Sequence, residues 1–170
     1  MKTIKITKAD LDENNKYIGS ENLSDYSNPL NASVEIEENL GYVFFEKHIV
    51  VAGSLIAKAG SGIKAGEGIK AGEGIEAGWG IKAGWGIEAG EGITCKLSLS
   101  LKYNLFAGVA WWKKAEGADK KITCGKLESG TIAYGDLEEV GMPDQEKEVS
   151  LSGKEVEVNV DGKVYKAVIK

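Results

Sequence analysis

Residues 59–94 read AGSGIK AGEGIK AGEGIE AGWGIK AGWGIE AGEGIT, which are six hexapeptides in tandem without an insertion. Ala comes first, Gly second, Gly fourth and Ile fifth in every hexapeptide. The third place holds Ser, Glu or Trp, and the sixth holds Lys, Glu or Thr. A short fixed period is the mark of a repeat architecture, so it decides the fold before any local propensity does.

Three other interpretations of this stretch fail on physical grounds. Two glycines in every six residues would cost a helix roughly 1 kcal/mol each relative to Ala, and a period of six forms no apolar stripe on a helix. Collagen requires Gly at every third position. A Gly-rich charged stretch can be disordered, but here Ile recurs at the same place six times without a slip.

The pattern predicts an all-β fold, a single-stranded parallel β-helix (β-solenoid). Ile would point inward, the next residue outward and Ala inward, as the two-residue period of a strand requires. The two glycines would form the corner, where positive φ or a close backbone approach is needed. We predict a three-sided coil, in which residues 18 apart are neighbours; a two-sided coil would instead bring together residues 12 apart.

Six hexapeptides are too short to form a domain alone, because open coil ends expose strand edges and need capping. The sequence predicts an N-terminal strand and polar loop in residues 1–31, the β-solenoid in 32–140 with its regular hexapeptides in 59–94, and a linker with a C-terminal β-hairpin in 141–170. Asp161-Gly162, between two alternating apolar patterns, predicts the type I′ turn of that hairpin.

Charge and hydropathy narrow the classes of partner. The 170 residues carry a net charge of −5, and Lys and Glu alternate along the repeat, so we expect a mixed outer surface without a basic nucleic-acid footprint. Residues 1–9 lack the apolar region of a signal peptide, and no apolar run is long enough to span a membrane. We expect a cytoplasmic protein that binds neither nucleic acid nor membrane.

Residues with catalytic or metal-binding chemistry are few. His48 is the only histidine, and we expect it to be exposed or packed at the end of the solenoid. Cys95 and Cys124 occupy matching places in ITCKL and ITCGKL, which predicts stacking in neighbouring coils as small buried hydrophobes. The sequence therefore predicts no catalytic, cofactor-binding or metal-binding residue, and no enzyme.

The tryptophans are the candidate protein-binding residues, because exposed Trp is enriched at interface hot spots. Trp79 and Trp85 replace Glu at the third place of the repeat. A three-sided coil puts them on adjacent faces, one coil after Ser61 and Glu67; a two-sided coil would put them after Glu67 and Glu73. Trp111 and Trp112 form a second candidate pair. The alternative for Trp79 and Trp85 is packing under a crossing loop or the C-terminal hairpin, and we expect at least one of Trp111 and Trp112 to be buried.

The run IKAGEGIKAGEGIEAGWGIKAGWGIEAGEGITCKL resembles a group of small solenoid proteins encoded by phages and mobile elements of gut bacteria, over about residues 40 to 135. Small proteins of such elements often inhibit host defences, including CRISPR nucleases. The resemblance implies an inhibitor that binds a host protein complex, such as a CRISPR effector, in the cytoplasm of the bacterial host. It carries over no functional residues.

The repeat also resembles the left-handed hexapeptide family, which includes acyltransferases and a zinc carbonic anhydrase. The anhydrase uses several zinc-bound histidines, which one His cannot supply. The acyltransferases use a base histidine, a role open only to His48 here. That family has its small residue two places before the aliphatic one, whereas this chain has Glu or Trp there.

Three hypotheses follow. The first is a non-enzymatic protein-binding module that acts by steric occupation of its partner. The second is a structural β-solenoid that associates with itself through its coil ends or by exchange of the hairpin. A homodimer is a separate expectation for the oligomeric state. The third, with the least support, is a hexapeptide acyltransferase.

Overall fold

The computed structural model describes residues 1–110, 112–143, 155–160 and 163–168. These residues form an all-β fold built from parallel strand pairs and one antiparallel pair. The strands are β1 Lys2–Ile6, β2 Ala32–Ile36, β3 Gly41–Phe45, β4 Ile49–Val51, β5 Leu55–Ala57, β6 Ser61–Ala65, β7 Ile69–Ala71, β8 Ile75–Ala77, β9 Ile81–Ala83, β10 Ile87–Ala89, β11 Ile93–Cys95, β12 Ser98–Ala107, β13 Lys121–Cys124, β14 Lys126–Tyr134, β15 Asp136–Glu139, β16 Glu155–Val160 and β17 Lys163–Val168. Short 3-10 helices span Lys8–Asp10 and Gly117–Lys120.

Most hexapeptides form a strand of three residues, Ile, a variable residue and Ala. In β7, Ile69 and Ala71 are buried while Lys70 between them is half-buried. The same alternation holds in β8 to β10, which confirms the predicted inward and outward positions. Each buried Ile contributes roughly 1.5–3 kcal/mol relative to an exposed one, so the stacked isoleucines form the centre of the core.

From β2 to β9, each strand pairs in parallel with the strand three places later in the chain. We call each set of three consecutive strands a coil. Ile63 pairs with Ile81, Ile69 with Ile87, and Ile75 with Ile93. Each pair lies 18 positions apart in the sequence, as the three-sided arrangement requires. A separation of 12 occurs in none of these pairs.

The strands lie on three faces. Face 1 is a seven-stranded sheet in the order β1, β2, β5, β8, β11, β13, β15. Face 2 stacks β3, β6 and β9, and face 3 stacks β4, β7 and β10. The long strand β12 pairs with β9 through residues 99–101 and with β10 through residues 105–107. It therefore turns one corner and joins faces 2 and 3 into one eight-stranded sheet.

The N-terminal residues lie against the first strand of each face. The predicted strand at the N-terminus is present as β1, which pairs with β2. Lys16 bridges to Phe44 on face 2, and Leu30 bridges to Val51 on face 3. Leu11 and Leu23 are buried against the core, so this segment covers the first coil.

The two predicted C-terminal strands are also present, because β16 and β17 pair in antiparallel fashion. The predicted turn at Asp161-Gly162 lies outside the described residues. So do residues 144–154 of the predicted linker.

The corner glycines are needed because the backbones of successive coils approach closely, not because their φ angles are positive. From residue 66 to residue 92 no repeat glycine has positive φ. A Cβ added at Gly84 would overlap the carbonyl oxygen of Gly66 one coil earlier, and one at Gly90 would overlap that of Gly72. Only at the start of the repeat does a corner glycine, Gly60, take a φ of +72°.

Candidate protein-binding site

The corner between face 2 and face 3 carries three exposed aromatic side chains. Trp85 and Tyr103 occupy successive coils there, and the Tyr103 amide donates to the Trp85 carbonyl at 3.0 Å. Tyr26 reaches the same corner from the N-terminal segment. Their exposed fractions are 46 % for Tyr26, 49 % for Trp85 and 53 % for Tyr103. We call these three residues the aromatic corner.

His48 lies beside the aromatic corner. Its Nδ1 accepts a hydrogen bond from the Gly68 amide at 3.0 Å, and its Nε2 lies 2.7 Å from a carboxylate oxygen of Glu67. The rings of Tyr26 and Trp85 pack against the imidazole in T-shaped arrangements, with ring centroids 4.6 and 5.4 Å away. The ring is thus a neutral Nε2–H tautomer that donates to Glu67.

From the sequence we expect His48 to be exposed or packed at the end of the solenoid, and we consider it as the base of an acyltransferase. With a side-chain exposure of 18 %, the residue is not exposed but fills a groove between two coils. Both ring nitrogens already have partners within the chain. A base histidine of the acyltransferase type would have to give up one of these hydrogen bonds to accept a proton from a substrate.

Trp79 lies at a different corner, between faces 1 and 2. Its amide donates to the Ser61 carbonyl at 2.9 Å, and the Trp85 amide donates to the Glu67 carbonyl at 3.0 Å. These are the neighbours that the three-sided coil predicts. The Trp79 side chain is 39 % exposed and packs edge-on against Tyr42 with centroids 5.8 Å apart.

Trp112 lies at the third corner, in the loop that connects β12 on face 3 to β13 on face 1. It is exposed, and its ring passes 3.2 Å from the position of a Cβ on Gly90. Trp111 lies outside the described residues. The structure therefore distributes Trp79, Trp85 and Trp112 over three corners, and among them Trp85 alone joins the aromatic corner.

The charged residues of the repeat are arranged differently on faces 2 and 3. Lys64 and Lys82 are direct neighbours on face 2, and their ammonium groups lie 5.0 Å from the rings of Phe44 and Tyr42, respectively. The physical reason is the 18-residue register, which stacks every third hexapeptide and so brings two lysines together. On face 3 the same register instead pairs Lys70 with Glu88 at 2.8 Å.

The two cysteines follow the sequence prediction. Ile93-Thr94 pairs with Ile122-Thr123, so Cys95 and Cys124 occupy the next matching places on face 1. Both are buried and free. Burial, with a smaller contribution from Cys124, raises the pKa of Cys95 to about 12, so its thiol stays protonated and unreactive at neutral pH.

Sequence reasoning missed two members of the aromatic corner. Tyr103 follows Trp85 by one 18-residue coil, so extending the register beyond the last hexapeptide would have found it. Tyr26 comes from an irregular segment with no period, and no signal in the sequence places it there. The segment is held by local turns, such as those in which Asp25 accepts from the Ser27 amide and hydroxyl.

Comparison of the chain with protein-family models, with curated proteins and with solved structures gives no match in any of the three. Among the residues that the structure describes, no cluster of His, Cys, Asp or Glu has the makings of a metal site. The described helices include none with the length and apolar character needed to cross a membrane. The case for a function therefore rests on the geometry of the corners.

Proposed function

We propose that the chain is a three-sided, single-stranded parallel β-helix that serves as a non-enzymatic protein-binding module. The 18-residue register on all three faces supports the fold. The aromatic corner is the observation that supports the function. Trp and Tyr dominate interface hot spots because they bury a large area at a low entropic cost.

The aromatic corner is held in place before any partner arrives. The Trp85 amide donates to the coil before it, and the Trp85 carbonyl accepts from the amides of Lys102 and Tyr103 in the coil after it, each at 3.0 Å. A preformed surface loses little conformational freedom on binding, so a modest contact area can give high affinity. The mechanism would be steric: the rigid corner occupies a surface that the partner needs.

The narrower form of the proposal names the partner as a host defence complex, such as a CRISPR effector in the cytoplasm of a bacterial host. Its support is the resemblance to small solenoid proteins of phages and mobile elements. Because Trp79, Trp85 and Trp112 lie at three different corners, the partner in this proposal is bound through Trp85 rather than through these three tryptophans at once.

The test is affinity capture with the tagged chain from a lysate of a bacterium with active CRISPR systems, followed by titration of the purified partner. We expect Trp85→Ala and Tyr103→Ala each to weaken binding at least about tenfold, as hot-spot truncations do. Trp112→Ala, at another corner, is the matched control and should bind like the unmodified chain. Unchanged affinity in both corner variants would exclude this surface.

The C-terminal end of the described coils favours self-association as a second candidate. Strand β15 is the last strand of face 1, and Leu137, Val140 and Met142 near it are exposed. An open strand edge with apolar neighbours is a template for pairing with another chain. Light scattering should then show a mass that grows with protein concentration, and a constant monomer mass would exclude this candidate.

A further inference from the structure

A groove next to Trp85 lies one coil beyond the groove that His48 fills. Its volume is about 210 Å³. Its walls and floor are formed by Tyr26, Trp85, Gly86, Glu88, Tyr103 and Phe106. We call it the Gly86 groove, and we call the earlier one the Gly68 groove.

His48, Gly68 and Gly86 occupy the same place in three successive coils, because each precedes the paired residues Ile49, Ile69 and Ile87. The Gly68 amide donates to the imidazole of the residue one coil earlier, His48. The residue one coil before Gly86 is Gly68, which has no side chain. Within the described residues, the Gly86 amide has no hydrogen-bond acceptor.

Open volume lies beside Gly68, which also lines the Gly86 groove. A Cβ at Gly68 would lie 3.1 Å from the Tyr26 hydroxyl, 3.2 Å from His48 Nδ1 and 3.5 Å from the Gly86 carbonyl. The two closer contacts are tight, so the Tyr26 hydroxyl and the His48 ring, which accepts from the Gly68 amide, would each have to shift by a few tenths of an ångström. The backbone at Gly68 does not have positive φ. Its conformation therefore does not require glycine.

We propose, on the basis of the protein-binding function above, that the Gly86 groove takes a histidine side chain of the partner protein. The imidazole accepts from the Gly86 amide through one nitrogen, as His48 does from Gly68. The aromatic corner packs around the ring, as Tyr26 and Trp85 pack around His48. The other nitrogen donates to the Glu88 carboxylate, which now pairs with Lys70 and has further lone pairs to offer.

A nucleobase is the competing planar ligand, since bases stack on aromatic side chains. Charge does not decide between them, because Lys70 pairs with Glu88 and Lys102 lies 5.1 Å from the Tyr103 ring. The hydrogen-bonding groups favour the histidine. The Gly86 amide is a donor of the kind that already binds an imidazole nitrogen one coil earlier, at Gly68, and the Glu88 carboxylate lines the groove as an acceptor.

The experiment uses 4-methylimidazole as the probe and needs no partner, so its failure is distinguishable from failure of the capture assay. The probe is titrated into the ¹³C,¹⁵N-labelled chain at pH 8.5, where imidazole is mostly neutral, and the Gly86 amide is followed through its ¹⁵N nucleus by carbon detection, because an unpaired amide proton exchanges fast at this pH. We expect a saturable shift of the Gly86 amide resonance with a Kd on the order of 1–10 mM, as a six-atom fragment permits. Pyrrole, a planar ring without an acceptor nitrogen, should leave that resonance in place.

Gly68→His is the self-filling variant, with Gly68→Ala as the smaller change if the larger one does not fold. Gly68→His should abolish the probe-induced shift, while Gly68→Ala should reduce the affinity for the probe several-fold. The proposal is overturned if the Gly86 resonance does not move in the unmodified chain, or if it moves equally in these variants. Saturation by adenosine monophosphate at lower concentration than 4-methylimidazole would overturn it in favour of a nucleotide.

Discussion

The Gly68 groove and the Gly86 groove share one backbone shape and differ in what fills them. One coil before Gly68 stands His48, whose ring fills the first groove and accepts from its amide. One coil before Gly86 stands Gly68, which leaves the second groove open. The difference teaches that glycine corners create grooves, and that residues outside the regular repeat decide which of them are filled.

The other corners follow the same rule. The ring of Tyr42 lies against Gly62 and Gly80, where an added Cβ would meet it. At the third corner, the ring of Trp112 lies close to Gly90. Both aromatic residues lie outside the regular hexapeptides. At the corner between faces 2 and 3, His48 fills the first groove, and the Gly86 groove, one coil later, is the first open one.

The largest expected loss of stability comes from a substitution that disrupts the corner beside the Gly86 groove. Gly84→Ala would push a Cβ into the Gly66 carbonyl oxygen, and we expect it to lower the free energy of unfolding by about 3 kcal/mol. Gly74→Ala is the matched control, because its Cβ would only touch the Gly92 oxygen at 3.4 Å. Urea unfolding should show a change of less than about 1 kcal/mol for the control. Equal losses would contradict the close-approach explanation.

The next largest loss of stability is expected from a substitution that empties the Gly68 groove and so makes it resemble the Gly86 groove. His48→Ala removes the acceptor of the Gly68 amide and the donor to Glu67, which should cost about 2 kcal/mol in thermal or urea unfolding. Glu67→Gln keeps an oxygen that accepts from Nε2–H and should cost less than about 1 kcal/mol. If His48→Ala were neutral, the filled groove would contribute nothing to the fold.

A smaller effect on stability is expected at the wall that both grooves share. Trp85→Ala should lower the free energy of unfolding by about 1 kcal/mol, because the side chain is half exposed and its ring packs against His48. The buried neighbour Ile87 provides the contrast, since Ile87→Ala should cost about 2–5 kcal/mol. A loss for Trp85→Ala as large as that for Ile87→Ala would show that Trp85 serves the fold rather than a partner.

The smallest effect concerns the ionisation of Tyr26, which lies between the two grooves. Burial raises the pKa of Tyr26 above 10.0, with Glu88 adding to the rise and Lys70 opposing it. Because the folded pKa lies above the unfolded one, this group's contribution to stability is complete below pH 10 and is lost as the pH rises through the folded pKa. The absorbance at 295 nm of the chain minus that of Tyr26→Phe should titrate above pH 10. A midpoint at or below pH 10 would contradict the packing.

Regularity decided what the sequence could predict. The neighbours of Trp79 and Trp85 followed from the 18-residue period, as did the inward direction of Ile and Ala. The same period places Lys64 beside Lys82, but predicting this pair requires each charged residue to be assigned to a face. His48 and Tyr26 meet through the irregular segment before the repeat, where length and turns rather than a period set the position, and the sequence alone could not bring them together.

The comparison of the two grooves can be tested directly by hydrogen exchange of the Gly68 and Gly86 amides in the unmodified chain, followed by NMR. We predict that the Gly68 amide is protected by its hydrogen bond to His48, and that the Gly86 amide exchanges at least tenfold faster. In His48→Ala the Gly68 amide should lose its protection. Equal protection of the two amides in the unmodified chain would contradict the claim that the Gly86 groove is open and offers an unpaired donor.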